Sequence, residues 1–159
     1  MDEQKDLRSP DLATRAAAAE RLAQMGSDAA EAAVELLTAC GDEAEVCEWA
    51  VAALEELGPP PVEMIDSIAK LASSNDPLTA YWALTLLGRS GSDANHCQDQ
   101  VAATLTASAD LSVQERAAWC LGKIGATSKS ATAALAQASE SANVRLARLA
   151  KESMAAAAH

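Results

Sequence analysis

Small and aliphatic residues recur every four positions in four stretches of the chain: RAAAAERLAQMG at 15–26, CEWAVAALEELG at 47–58, AYWALTLLGRSG at 80–91 and QERAAWCLGKIG at 114–125. Each stretch closes on a glycine, and Gly26, Gly58, Gly91 and Gly125 are separated by 32, 33 and 34 residues. Eight residues before each glycine stands an alanine (Ala18, Ala50, Ala83, Ala117), and four before it a leucine (Leu22, Leu54, Leu87, Leu121). Twelve before it stands a β-branched residue: Thr14, Val46, Thr79 or Val113. Residues four apart share a helix face, so each row predicts a buried stripe, with alanine at its centre to admit another helix at close range. The glycine predicts a left-handed helix cap, a conformation that is sterically costly for other residues.

A second set of helices is predicted between the first: DAAEAAVELLTAC at 28–40, PPPVEMIDSIAKLA at 59–72, NHCQDQVAATLTAS at about 95–108 and SKSATAALAQAS at 128–139. Proline near the first turn of 59–72 is tolerated because that N–H has no intrahelical partner. The longer connections carry entry signals for the next first helix: Ser9-Pro10, Asp76-Pro77, and Ser112 with Glu115 as a capping box. A fifth, incomplete copy holds Leu146, Ala150 and Met154, with Ala158 where the glycine would stand. One unit of about 33 residues cannot bury its own stripe, whereas stacked units bury each other's. The expected architecture is all-α, an α-solenoid of about four and a half helix-turn-helix repeats at 9–41, 42–74, 75–109, 110–141 and, in part, 142–159, after a polar lead at 1–8.

Composition strengthens the helical reading. Alanine fills 39 of 159 positions, while the chain has no Phe, one Tyr and three Trp. Alanine is the strongest helix former and a weak strand former, so such a core requires closely spaced helices.

The V/T-x-x-x-A-x-x-x-L-x-x-x-G row and the Asp76-Pro77 loop resemble HEAT repeats, particularly the short bacterial type found in phycobilisome lyase-like proteins, over Ser9 to Met154. The resemblance implies the solenoid and two functional expectations: a non-enzymatic protein-interaction scaffold, or an accessory subunit of a bilin lyase-like or other protein-modifying enzyme. The family often places arginine second in the first helix; Arg15 matches, while Cys47, Ala80 and Gln114 replace it elsewhere. Deoxyhypusine hydroxylase, a HEAT-repeat enzyme, uses paired His-Glu motifs, whereas here Cys97 follows His96 and His159 is terminal. Phosphate-loop, nucleophile-elbow and H-E-x-x-H patterns are absent from the sequence, so no catalytic residue is assigned.

Charge narrows the partner. The net charge is −11, and residues 22–69 contain eleven acidic residues and no Lys or Arg. From Glu115 onward the sign reverses, with six basic residues against three acidic. This balance disfavours nucleic acid and anionic membranes, whose phosphates need cations, and suits a basic protein or peptide. On the second helices, which in HEAT-like arrays line the concave face, the polar positions are Asp28, Glu31, Glu35, Glu63, Asp66 and Asp99, giving way to Lys129 and Thr132. These six acids are the expected partner-binding residues. Tyr81 and Trp119, away from the stripe centre on neighbouring first helices, are the expected aromatic anchors. Trp49 and Trp82, each one residue before a stripe alanine, are expected in the seams between repeats.

Cys97 and Cys120 fall on core-facing positions and read as small buried hydrophobes. Cys40 and Cys47 bracket the junction of the first two repeats, on the edge opposite His96 and Cys97, roughly 15–20 Å away across a helix length. That separation rules out a shared Cys₃His site, so no metal or cofactor is expected; a Cys40–Cys47 disulfide would require an oxidising compartment. The chain has no apolar run of membrane-spanning length and its first residues lack a secretory h-region, which places the expectation in the cytoplasm with thiols reduced.

Overall fold

The structure, a computed structural model, describes residues 2–157 and is all-α: ten α-helices and no strand among those residues. A short helix, α1 (Asp2–Asp6), precedes α2 (Leu12–Met25), α3 (Ala33–Ala39), α4 (Ala44–Glu56) and α5 (Ile65–Leu71). There follow α6 (Pro77–Ser90), α7 (Gln98–Ala107), α8 (Leu111–Lys123), α9 (Lys129–Ser139) and α10 (Val144–Ala157). Even-numbered helices are the first helices of successive repeats. Each of α3, α5, α7 and α9 packs on the first helix of the following repeat, which makes the array a solenoid.

The stripe lies where the sequence puts it. Ala18, Ala50, Ala83 and Ala117 are wholly buried, as are Leu22, Leu54, Leu87 and Leu121. In the fifth copy Leu146 and Ala150 are buried but Met154 is 37% exposed, contrary to its expected stripe role. Its equivalents are each followed by a second helix, which the described residues do not include for the fifth copy. Ser153 points inward instead and donates to the Ala118 carbonyl at 2.6 Å. Ala158 lies outside the described residues.

Three of the four glycine turns fall into two forms. At the end of α8, the Ala126 N–H reaches the Leu121 carbonyl at 3.0 Å and the Gly125 N–H reaches that of Gly122 at 3.4 Å. This is the Schellman pattern with glycine at positive φ, as expected. Gly26 (φ 57, ψ −130) and Gly91 (φ 56, ψ −134) are not left-handed helical caps. They occupy the mirror-extended region, matching the first central position of a II′-type turn. That turn leads directly into 3₁₀ segments, Gly26–Ala32 and Gly91–Cys97, and a shorter one at Val62–Met64 precedes α5. The expected second helices therefore begin later as α-helix than 28, 59 and 95; only 128–139 starts nearly where predicted, behind Ser128, which caps Ala131.

A recurring Ser-x-Asp/Asn device starts the first helices. Asp11, Asp76, Asp110 and Asn143 accept from the N–H three residues on, at 2.9–3.0 Å. Ser9, Ser74, Ser108 and Ser141 each accept from the N–H of that capping residue. The cap of α8 is thus Asp110, two residues before the expected Ser112, and the Ser112–Glu115 box is displaced because Ser108-Ala109-Asp110 offers both acceptors first. Repeat two lacks the device: Gly41 stands at the serine position, and Glu43, at the cap position, makes no side-chain cap.

Close backbone approach sets the spacing between first helices. The Trp119 ring lies on Gly88, where an added Cβ would come within 2.2 Å of it; at Gly122 a Cβ would meet Ser153 Oγ at 2.5 Å. The α2–α4, α6–α8 and α8–α10 pairs pack closely, whereas α4 and α6 do not. There Arg89 stacks its guanidinium 5.8 Å from the Trp82 ring centroid and donates to the Leu54 and Glu55 carbonyls at the end of α4. Trp82 is buried in keeping with a seam role, but Trp49 is 36% exposed, contrary to that expectation. At the other end of α6, buried Thr79 donates to the Leu37 carbonyl two repeats back, at 3.1 Å.

Two glycine replacements separate turn strain from overpacking. Gly91→Ala forces a side chain into a glycine backbone region and should cost about 1–3 kcal/mol. Gly88→Ala should cost about 1–3 kcal/mol by overpacking against Trp119. Urea unfolding should show the Gly88→Ala loss partly recovered by Trp119→Leu, and the Gly91→Ala loss not recovered.

Candidate interaction surfaces

The six acids gather at the starts of the second helices. Asp28 and Glu31 lie on the 3₁₀ segment Gly26–Ala32, Glu35 in the first turn of α3, Glu63 on Val62–Met64, Asp66 in the first turn of α5 and Asp99 in that of α7. They therefore follow the glycine-turn edge rather than running along the helices. At a helix start a carboxylate also complements the partial positive charge of the free N–H groups, so each has a structural use. Asp28, Glu31, Glu63, Asp66 and Asp99 are exposed. The row ends at exposed Lys129, in the first turn of α9.

Three of the six have side-chain partners. Arg8 pairs with Glu35, which is only 13% exposed, and in the same region the Gln4 side chain donates to the Glu31 carbonyl. The N-terminal lead is thereby docked on this edge, and Leu7 is buried with the core. Asp66 contacts His96 Nε2 at 2.7 Å. Asp99 accepts from the hydroxyls of Ser128 and Ser130, which hold its carboxyl below the usual range. The last two contacts share a register. The acid in the first turn of one second helix meets the residue just before the next one: Cys97 and its neighbour His96 for Asp66, Ser128 for Asp99.

Outside the row, Arg15 makes a bidentate contact to Asp42 at 2.7 and 3.0 Å and donates to the Ser9 carbonyl at 2.9 Å. Gln114, at the equivalent position in repeat four, makes the same reach to the Ser108 carbonyl at 2.8 Å. The contact follows from position rather than from arginine, a similarity visible only once the repeats are superposed.

Tyr81 and Trp119 are both half-buried and are joined by a cation. The Arg116 guanidinium lies 4.5 Å from the Tyr81 ring centroid and 4.7 Å from that of Trp119, and it bonds the Tyr81 hydroxyl. They line a groove of about 710 Å³ with Leu78, Glu115, Arg145 and Leu149, in which Arg145 pairs with Glu115 at 3.2 Å. A second cleft, about 690 Å³, opens between the ends of α5 and α7 and is lined by Ala69, Lys70, Gln100, Ala103 and Thr104. Sequence reasoning did not find it, since it arises from the spacing of two helices and not from a motif.

All four cysteines are free thiols, and Cys40, Cys97 and Cys120 are buried. Burial pushes the Cys40 thiol up to about 12, with the nearby Cys47 and Asp76 adding to the effect. Burial likewise raises Cys97, with Asp66 contributing. Cys97, His96 and Asp66 bring their ligand atoms within 4.8 Å of one another. The sequence separated Cys40 and Cys47 from this edge but missed Asp66, which stands 30 residues from His96, nearly one repeat away.

Residues 113–141, in repeat four, match the family model for the PBS lyase HEAT-like repeat. The comparison with curated proteins gives no match. Among solved structures the chain is similar to an engineered protein of the Northeast Structural Genomics Consortium, at 22% identity and a TM-score of 0.65, over 99% of this chain and 78% of that one. It is also similar to a second engineered protein of that consortium, at 18% identity and a TM-score of 0.65, over 98% of this chain and 79% of that one. A designed armadillo repeat protein in complex with the peptide (KR)4 aligns at 17% identity and a TM-score of 0.67, over 98% of this chain and 80% of that one. These likenesses bear on fold and agree with the α-solenoid. No helix among the described residues is long and apolar enough to cross a membrane.

The Arg15–Asp42 pair gives a pH test. The Arg15 guanidinium holds the Asp42 carboxyl below its ordinary value of 3.8. A carboxyl depressed by folding stabilises the fold above its unfolded pKa, and that contribution disappears as pH falls through the lower folded value. The urea midpoints of wild type and Asp42→Asn should therefore differ at neutral pH and converge below about pH 4.

Proposed function

We propose that the chain is a non-enzymatic protein-interaction scaffold that takes a basic peptide or loop along the acidic edge of its first three repeats. The observation that carries this reading is the line of carboxylates at successive second-helix starts, most of them within a 48-residue segment without Lys or Arg. Docking of the chain's own Arg8 on Glu35 supports it, as an internal instance of a basic side chain held on this edge. The designed armadillo repeat protein of similar fold, solved with an alternating Lys-Arg peptide, supports a repeat array of this kind as a receptor for cations spaced along an extended chain. Recognition would act through steering and a salt-sensitive attraction between exposed charges. The reading includes a cytoplasmic setting with reduced thiols, and it assigns no role to nucleic acid or membrane.

Fluorescence anisotropy with a labelled (Lys-Arg)4 peptide tests the proposal. Binding should weaken steeply between low and high salt. The double variant Glu31→Lys/Glu63→Lys, altered at two exposed positions, should lose roughly tenfold or more in affinity at low salt. Unchanged affinity in that variant, with its helical content intact, would refute the acidic edge as the binding surface.

A further inference from the structure

We infer that Asp66, His96 and Cys97 form a binding site for one zinc-class divalent metal ion at the seam between repeats two and three. Three chemically different donors converge there: a carboxylate oxygen, an imidazole nitrogen and a thiol sulfur, all within 4.8 Å of one another. Around tetrahedral zinc, with bonds of about 2.0–2.3 Å, neighbouring donors stand roughly 3.3–3.7 Å apart. Asp66 and His96 are already closer than that, at 2.7 Å, so the ion enters by separating them slightly and closing the distance to the sulfur by about 1 Å. Cys97 is held by the core at 1% exposure, so the approach to its sulfur is made by exposed Asp66 and His96 moving toward it.

The donor set selects the metal. Mixed imidazole, thiolate and carboxylate ligands suit zinc and its borderline-soft neighbours, whereas magnesium and calcium prefer oxygen alone. Cys97 is the residue just before α7, a ten-residue helix, and because burial disfavours its free thiolate, the bound dication itself would stabilise the deprotonated sulfur. On binding, the Cys97 S–H bond is replaced by an S–Zn bond and its proton passes to solvent. One carboxylate and one thiolate then balance the dication, with His96 neutral. The fourth coordination position is open to water. Because Asp66 belongs to α5 while His96 and Cys97 lead into α7, the ion would clip two repeats together. The site stands apart from the peptide-binding proposal, although Asp66 contributes to both surfaces.

The test uses the full-length reduced protein and cobalt(II) as a spectroscopic stand-in for zinc, with no peptide present. One equivalent should give a thiolate-to-cobalt charge-transfer band in the near ultraviolet and strong visible bands of a tetrahedral centre, both erased by added zinc. Cys97→Ser should abolish the charge-transfer band, and His96→Gln, a surface replacement, should weaken cobalt binding about tenfold or more. Absence of the band in the wild type overturns the site. So does an undiminished band in Cys97→Ser, which would assign it to another cysteine, or unchanged affinity in His96→Gln. If circular dichroism shows that Cys97→Ser does not fold, the two exposed replacements, His96→Gln and Asp66→Asn, decide by the same titration.

Discussion

Close approach between helix backbones is the constraint on which the rest of this structure depends. A repeat of this length has no core of its own, and its first helix becomes buried only when the next repeat lies against it. With alanine at the centre of every stripe there is little side-chain volume to bridge a wider gap, so the helices must come together until backbone meets side chain. Gly88 beneath Trp119 and Gly122 beneath Ser153 mark where that contact has become tightest. The buried polar groups obey the same geometry. Thr79 and Ser153 donate to carbonyls of other repeats, and no buried side-chain nitrogen or oxygen among the described residues lacks a partner.

Electrostatics supplies a second layer of connection. The cation-free segment cannot neutralise itself, and its partners come from outside it: Arg8 for Glu35 and Arg15 for Asp42 from the N-terminal side, His96 for Asp66 from the C-terminal side. Arg89 adds contacts to main-chain carbonyls at the end of α4, where the last turn has no basic residue of its own. These contacts cross repeat boundaries, so the acidic block is fixed to its neighbours by charge as well as by packing. What remains exposed at Asp28, Glu31 and Glu63 is the portion that the proposed basic partner would meet.

The sequence was most informative where a periodic signal repeats. Ala18, Ala50, Ala83 and Ala117, each with a leucine one turn on, were legible because four copies in register leave little freedom in which face is buried. The glycines announced positive φ but not the turn that follows, and the carbonyls reached by the next N–H groups mark Gly125 as a Schellman end, unlike the tight turns at Gly26 and Gly91. The cap of α8 was misplaced because Ser-Ala-Asp and Ser-Val-Gln-Glu both read as helix entries, and only the chain path chooses between them. Fifth-copy Met154 kept its place in the pattern but is left partly exposed. Among the candidate site residues, the acids could be named but not their partners, since Arg8–Glu35, Asp66–His96 and Asp99–Ser128 join residues about 27 to 30 positions apart. The meeting of Asp66 with His96 and Cys97 needs one further fact, the offset at which α7 stacks on α5.

The loosened seam between α4 and α6 bears on how the array could be edited. In a regular solenoid any internal unit can be removed or duplicated, because every joint is interchangeable with the next. Here the joint is bespoke: Arg89, stacked on Trp82, reaches the end of α4, and Thr79 reaches past repeat two to the end of α3. Excising repeat two would leave Arg89 opposite a different helix end and take Thr79 away from its acceptor. Inserting a copy between repeats two and three would part both contacts at once. The chain thus has the outline of a modular array and, at its centre, the indivisibility of an ordinary globular core.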